Sequence, residues 1–397
     1  MRHLASSIIV SVSLLGGGCA SLGVPAAPPL PLPAVLSDAT FAPPPAPIGP
    51  DQLFALSDAM RAYADSPEFT SALRKLGPAR GLVEALYTKG ELKLEYDASV
   101  TRNAAETFDA RMGNCLSLVV MTAAFARHLG LEVQYQDVMI DDVWSRSGGL
   151  YFASTHVNIS MGKRRTAQAR VLGGEERMLT IDFLPPEDSA RYNTHTIDER
   201  MIEAMFMNNR AAEALAGNRL DEAYWWARAA VVHLPTYSTP YNTLGVIYQR
   251  HGDNVLAERA FKATLTLEPE STIAMHNLVP VLSKLGKNEE SKALAARLAT
   301  LEPTPPYHYF HLAMKALEEL RYADARELLH KEVRRAPFNH EFHFWLAIAH
   351  WRLGEGAAAR DELALALENS TTHAATERYS AKLALLRSQG GSRKRTY

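Results

Sequence analysis

The spacing of apolar residues divides the chain into a mixed region and an all-helical region. From residue 51 to about residue 92, apolar positions recur at helical spacing, with Leu53, Leu56 and Met60 on one face. Three later segments have the pattern of strands: residues 130–138, 155–160 and 180–183. Helical spacing then returns from about residue 204. The pattern predicts an α+β region over residues 51–200, followed by an all-α array.

The all-α half is built from a repeated unit. Its prolines lie 34 residues apart, at Pro235, Pro269, Pro303 and Pro337. This period and the small residues at fixed positions resemble the tetratricopeptide repeat (TPR). The clearest unit covers Ser238–Ser271, with Gly245 on its first helix and Phe261 on its second. Counting in register gives about five units over residues 204–373, a capping helix over residues 374–388 and a basic, disordered tail over residues 389–397.

The resemblance to TPR proteins implies a solenoid, in which neighbouring repeats bury a core that no repeat could bury alone. The concave face of such a solenoid suits an extended peptide or a partner protein, so the resemblance implies a binding function. For Trp345 and Trp351, in the last predicted unit, positions in the binding groove and in the core are both open, and the core is favoured.

Residues 1–19 have the pattern of a signal peptide. Arg2 precedes a 12-residue apolar stretch, and three glycines lead to Cys19. A run of small residues ending in cysteine resembles the lipobox of bacterial lipoproteins, although Leu15 lies four residues before Cys19 rather than three. The resemblance implies a lipid anchor at Cys19 on the periplasmic side of the cell envelope. Because Ala20 and not aspartate follows, the outer membrane is expected; secretion without an anchor is the alternative.

Residues 20–50 are rich in proline. Ten of the 22 prolines of the chain lie between residues 25 and 50. Such a segment favours extended polyproline conformations and is not expected to bury a core. After an anchor at Cys19, it is predicted to act as a stiff tether.

The most informative segment of the mixed region surrounds Cys115. Gly113 and Asn114 break the chain, and Asn114 is a favourable N-cap for an apolar helix that ends near Gly130. The thiol therefore lies in the first helical turn, where backbone N–H groups and the helix dipole stabilise a thiolate. A buried structural cysteine is the alternative interpretation.

Two polar residues on the predicted strands could complete a nucleophilic site. His156 shares one strand face with Asn158 and Ser160, and Asp182 lies between apolar residues of a later strand. A cysteine nucleophile needs a base, and the base needs a group that fixes its tautomer. Burial of a histidine and an aspartate is costly unless they are paired, which favours a common site.

With these segments in this order, residues 95–190 resemble the transglutaminase-like superfamily, a papain-related α+β fold. The resemblance rests on GNCLSL, THVNI and TIDF, and it implies Cys115 as nucleophile, His156 as base and Asp182 as the orienting acid. The backbone N–H of Cys115 would stabilise the oxyanion, with Gln134 and Gln136 as speculative helpers. His128 is interpreted as solvated, and His195 as a loop residue and weaker rival base.

Composition and net charge exclude several classes of function. The net charge of −2 argues against nucleic-acid binding, and two cysteines cannot form a disulfide scaffold or a cysteine-rich zinc site. No HExxH motif occurs, so neither a metal nor another cofactor is expected. The sequence predicts an envelope-anchored cysteine hydrolase, a protease or amidase, that acts on a protein or peptide bound by the repeats. The alternative is a non-catalytic TPR scaffold lipoprotein with a vestigial transglutaminase-like domain.

Overall fold

The computed structural model describes residues 34–88, 94–147, 150–163, 178–183 and 193–392. The predicted signal peptide and Cys19 lie outside the described residues. In the first half, the helices are α1 (Asp58–Ala64), α2 (Pro67–Leu76), α3 (Pro78–Val83), α4 (Ala104–Ala110) and α5 (Cys115–His128). The strands are β1 (Glu95–Tyr96), β2 (Met112–Gly113), β3 (Leu131–Ser147), β4 (Leu150–Lys163), β5 (Leu179–Ile181) and β6 (Asn193–Ile197).

The apolar helix α5 forms the centre of the first half. Eleven of its 14 residues are buried, and the helix packs against β3 and β4. The sheet has the order β5-β4-β3-β6, and all of its pairings are antiparallel. A separate, parallel pair joins β1 to β2. The predicted helix at Cys115 and the three predicted strand segments are therefore confirmed as elements of a mixed α and β region.

Ten helices form five antiparallel hairpins over residues 199–368. The hairpins pair α6 (Glu199–Ala216) with α7 (Leu220–His233), α8 (Thr239–His251) with α9 (Asn254–Leu267), α10 (Thr272–Lys284) with α11 (Asn288–Leu301), α12 (His308–Glu318) with α13 (Tyr322–Arg335) and α14 (His340–Arg352) with α15 (Gly356–Glu368). The first three hairpins pack against one another in turn, and so do the last two, while contacts between the third and the fourth are sparse. Together they form the helical solenoid that the 34-residue period predicts. The last helix, α16 (His373–Ser392), continues past the predicted boundary at residue 388.

Small residues set the separation of the paired helices. A Cβ atom at Gly245 of α8 would lie 2.4 Å from the ring of Phe261 on α9, and Phe261 is completely buried. The glycine therefore permits the close approach of the two helices. The expectation that Trp351 lies in the core is wrong, because its side chain is 42% exposed. Trp345 packs against two core clusters, in agreement with its prediction.

The expectation that the proline-rich segment buries no core is wrong for its last part. Val35 and Phe41 are buried in the same apolar cluster as the first two hairpins. The physical reason is that the solenoid supplies the surface that this short segment lacks. None of the helices within the described residues is long and apolar enough to span a membrane.

Candidate functional site

Cys115 begins α5, and the residues around it fix its position. The Asn114 side chain accepts hydrogen bonds from the Ser117 backbone N–H at 2.9 Å and from the Ser117 hydroxyl at 2.8 Å. It also donates to the Thr101 hydroxyl at 2.8 Å. At Gly113, a Cβ atom would lie 2.7 Å from the Cβ of Ser117, so this position has no room for a side chain. The Gly-Asn pair therefore holds the half-buried thiol of Cys115 in the first helical turn.

The structure brings His156 and Asp182 to Cys115. The Nε2 atom of His156 lies 2.7 Å from Oδ1 of Asp182. The imidazole is also close enough to the side chain of Cys115 for that side chain to raise its pKa. His156 is only 5% exposed. Since Nε2 is engaged by the carboxylate, Nδ1 is the nitrogen that remains for the sulfur. Three residues separated by up to 67 positions in sequence, Cys115 to Asp182, thus meet at one site.

The surroundings of His156 favour its charged form. Burial alone would lower the pKa of the imidazole, but the hydrogen bonds to Asp182 and Cys115 outweigh it and raise the pKa to about 9. His156 is therefore protonated at neutral pH. An imidazolium beside a sulfur stabilises a thiolate, which is the nucleophilic form of cysteine.

Sequence reasoning missed Tyr96. The parallel pairing of β1 with β2 places Tyr96 beside Gly113, two residues before Cys115. The Tyr96 hydroxyl lies near the backbone N–H of Cys115. Partial desolvation and the nearby Cys115 raise the pKa of Tyr96, which is still 41% exposed, so the phenol stays protonated and able to donate. No periodic pattern in the sequence connects Tyr96 with Cys115.

The other predicted helpers lie elsewhere on the sheet. Gln134 and Gln136 are on β3, opposite Ser160 and Asn158 of β4. Among the contacts of the described residues, none joins either glutamine to Cys115. Their oxyanion role stays a prediction without a supporting contact. His128 is exposed, in agreement with its interpretation as solvated.

The prediction that His195 lies in a loop is wrong. His195 is an exposed residue of β6, opposite Asp137 of β3. Burial raises the pKa of Asp137, while the charges of His195 and His156 act in the opposite direction. Asp137 therefore places a second carboxyl group near the imidazole of His156.

Cys115 and Tyr96 line a cavity of about 1480 Å³ whose opposite wall is the inner surface of the solenoid. All five hairpins and α16 contribute to this wall. Its polar side chains include Asn208, Asn242, Asn277, His276, His311, Arg250 and Arg378. Several are linked between hairpins: Thr243 donates to Asn208 at 2.8 Å, and Asn277 donates to Asn242 at 3.0 Å. The thiol thus opens onto a space that is large enough for a segment of polypeptide.

The loop after β1 closes this space on one side. The backbone N–H of Ala98 donates to the carbonyl of Thr371 at 2.8 Å, between the last two helices. The backbone N–H of Thr101 donates to the carboxylate of Glu213 on α6 at 2.6 Å. Within the described ranges, no cluster of three or more histidine, cysteine, aspartate or glutamate side chains could hold a metal ion.

A family model of the tetratricopeptide repeat matches residues 310–374. No curated protein shows a significant match to the chain. Similar solved structures include YrrB, described as a TPR protein with an unusual peptide-binding site; it is 17% identical, with a TM-score of 0.25, over 45% of this chain and 92% of YrrB. PilF of Pseudomonas aeruginosa is 18% identical, with a TM-score of 0.28, over 48% of this chain and 87% of PilF. MamA from Desulfovibrio magneticus is 18% identical, with a TM-score of 0.26, over 43% of this chain and 96% of MamA.

The family match and the five helical hairpins together define the C-terminal region as a TPR-like helical solenoid. TPR proteins bind protein or peptide partners.

Proposed function

We propose that the chain is a transglutaminase-like cysteine hydrolase, a protease or amidase, that acts on a polypeptide held by the solenoid. The observation that carries the proposal is the meeting of Cys115 with His156, which hydrogen-bonds to Asp182, at the edge of a cavity walled by the repeats. Each member has the chemistry that its role needs: a thiol at a helix N-terminus, a protonated imidazole and a carboxylate that orients it.

The reaction follows from these positions. The Cys115 thiolate attacks the carbonyl carbon of an amide and forms a C–S bond, while the carbonyl oxygen becomes an oxyanion. The imidazolium of His156 gives its proton to the amide nitrogen, the C–N bond breaks and an amine leaves. The neutral imidazole then removes a proton from water, which attacks the thioester and releases a carboxylic acid and the thiolate. Asp182 holds the imidazole in one tautomer throughout.

The oxyanion needs hydrogen-bond donors beside the sulfur. The backbone N–H of Cys115 is one, and the hydroxyl of Tyr96, which lies against that N–H, is the other. A carbonyl oxygen that enters between the two groups would receive a hydrogen bond from each.

A hydrolase of this kind would act on the periplasmic side of the bacterial envelope. The signal-like segment of residues 1–19 and the lipobox-like run before Cys19 support an anchor in the outer membrane. The substrates would then be proteins or peptides of the envelope.

The acyl intermediate tests the proposal directly. The purified chain is incubated with p-nitrophenyl acetate, quenched with acid and digested for mass spectrometry. We expect one acetyl group on Cys115 in the wild type and none in Cys115→Ala, and we expect casein to be cleaved only by the wild type. A wild-type chain that is neither acetylated nor active on casein would contradict the proposal.

That outcome would favour the second candidate, a non-catalytic scaffold. The observation in its favour is that the family match lies wholly within the repeats, at residues 310–374. In this reading the cavity binds a partner, and Cys115→Ala leaves partner binding unchanged.

Tyr96→Phe separates oxyanion stabilisation from the reactivity of the thiol. Loss of one oxyanion donor typically costs about 100-fold or more in rate, so we expect acetylation of Cys115 to slow by this factor. Alkylation by iodoacetamide forms no oxyanion and should stay within about twofold of the wild type. The matched control is Tyr87→Phe, since the Tyr87 hydroxyl bonds to Thr122 at 2.6 Å, away from the sulfur. Equal loss of both reactions would assign Tyr96 a merely structural role.

A further inference from the structure

Residues 35–42 lie against α7 and α8 of the solenoid, and side chains of these helices bind their backbone. Tyr248 donates its hydroxyl to the carbonyl of Val35 at 2.8 Å, and the N–H of Ser37 donates to the Tyr224 hydroxyl at 2.9 Å. At the other end, the Trp225 indole donates to the carbonyl of Ala42 at 2.6 Å. The N–H of Ala42 donates to Asp221 at 3.0 Å. Four backbone groups of an eight-residue segment are thus satisfied by the solenoid.

Two side chains of the segment anchor it. Asp38 accepts hydrogen bonds from the Tyr224 hydroxyl at 2.6 Å and from the Arg228 guanidinium at 2.7 Å. The hydrogen bond from Arg228 holds the pKa of Asp38 below its ordinary value. Phe41 stacks on the ring of Tyr224, with centroids 4.1 Å apart and planes 7° apart, and it is only 5% exposed. A charge-assisted hydrogen bond and a buried aromatic ring are the features by which binding sites fix a peptide.

The segment owes its conformation to these contacts. Residues 35–50 contain one 3-10 turn, Asp38–Thr40, and no longer helix or strand. Val35 and Phe41 bury their side chains in the core of the first two hairpins. The segment therefore contacts the solenoid as an extended peptide ligand contacts its receptor, and not as one element of a domain packs on another.

We propose that residues 35–42 are a tethered ligand that occupies a peptide-binding site on the outer edge of α7 and α8. The site takes an extended segment in which an aspartate is followed three residues later by phenylalanine. It is separate from the Cys115 cavity, because the five side chains that hold the segment are not part of the cavity wall. Binding at this site therefore fixes the point at which the chain before residue 35 leaves the solenoid, and it leaves the Cys115 cavity open. The proposal does not depend on whether Cys115 is catalytic.

Tethering explains why the segment stays bound in the intact chain. A short linker gives a tethered ligand an effective concentration on the order of millimolar. A free peptide of the same sequence therefore cannot compete at micromolar concentration, but it can enter once the tethered segment has lost its anchors.

The test uses the full chain and a fluorescent peptide with the sequence of residues 34–43, AVLSDATFAP. The double variant Asp38→Asn, Phe41→Ala weakens the tethered ligand and leaves the receptor side chains intact. By fluorescence anisotropy, we expect the peptide to bind the double variant at least tenfold more tightly than it binds the wild type. Adding Arg228→Gln to the double variant should abolish the gain, as should replacing phenylalanine by alanine in the peptide.

Folding of each variant is monitored by helical circular dichroism. If the double variant unfolds, peptide binding is measured on Asp38→Asn alone, which keeps Phe41 in place. Equal affinity of the peptide for the wild type and for a folded anchor variant would overturn the proposal. So would binding that survives Arg228→Gln.

Discussion

His156→Gln is expected to slow acetylation of Cys115 by p-nitrophenyl acetate by about 10²–10⁴-fold, the usual contribution of a positioned acid-base group. Glutamine retains a hydrogen-bonding side chain of similar length, but it cannot carry the proton that the imidazole exchanges with the sulfur. The imidazolium that stabilises the thiolate is lost at the same time. Release of p-nitrophenolate under pseudo-first-order conditions measures the rate.

The control for this substitution is His128→Gln. His128 lies at the other end of the same helix and is exposed, so its replacement should leave the rate unchanged. The acetylation rate of Asp182→Asn should lie between the rates of His156→Gln and His128→Gln. This substitution removes the charge that raises the pKa of His156, but it keeps a polar partner at Nε2. A rate in His156→Gln within threefold of the wild type would remove His156 from the mechanism.

Phe261→Ala is expected to lower the free energy of unfolding of the solenoid by about 3–5 kcal/mol. The ring is completely buried between α8 and α9, and it occupies the space that a side chain at position 245 would need. The surrounding helices can close only part of the cavity that the substitution creates. Urea-induced unfolding followed by helical circular dichroism measures the loss.

Val255→Ala on the same helix provides the control for Phe261→Ala. Its side chain is 49% exposed, and a substitution there should change the free energy of unfolding by no more than about 0.5 kcal/mol. If both substitutions had the same small effect, the close packing of Gly245 against Phe261 would not be a source of stability.

The sequence predicted the elements whose signals are local. The 34-residue spacing of the prolines located the hairpins, because each of these prolines lies just after the second helix of a repeat. Gly113 and Asn114 located the start of α5, because a cap must precede the helix that it caps. The alternating segments around His156 and Asp182 located two strands of the sheet, and their polar residues proved to be hydrogen-bonded to each other.

Features that depend on distant contacts could not be predicted in this way. Tyr96 reaches Cys115 through the pairing of two very short strands, which leave no periodic signal. Proline content indicated that the segment of residues 20–50 buries no core, and it could not show that the solenoid supplies one for Val35 and Phe41. The sequence indicated a loop for His195, in Tyr192-Asn-Thr-His-Thr196, yet this residue pairs with β3 at the edge of the sheet.

The loop of residues 98–101 touches the solenoid at both of its ends, at Glu213 in the first hairpin and at Thr371 after the last. It therefore joins the first hairpin to the end of the array. Ordinary solenoids can gain or lose a unit, since each repeat needs only its neighbours. Here we expect an added or deleted unit of 34 residues to move Thr371 away from Ala98 and to break this connection.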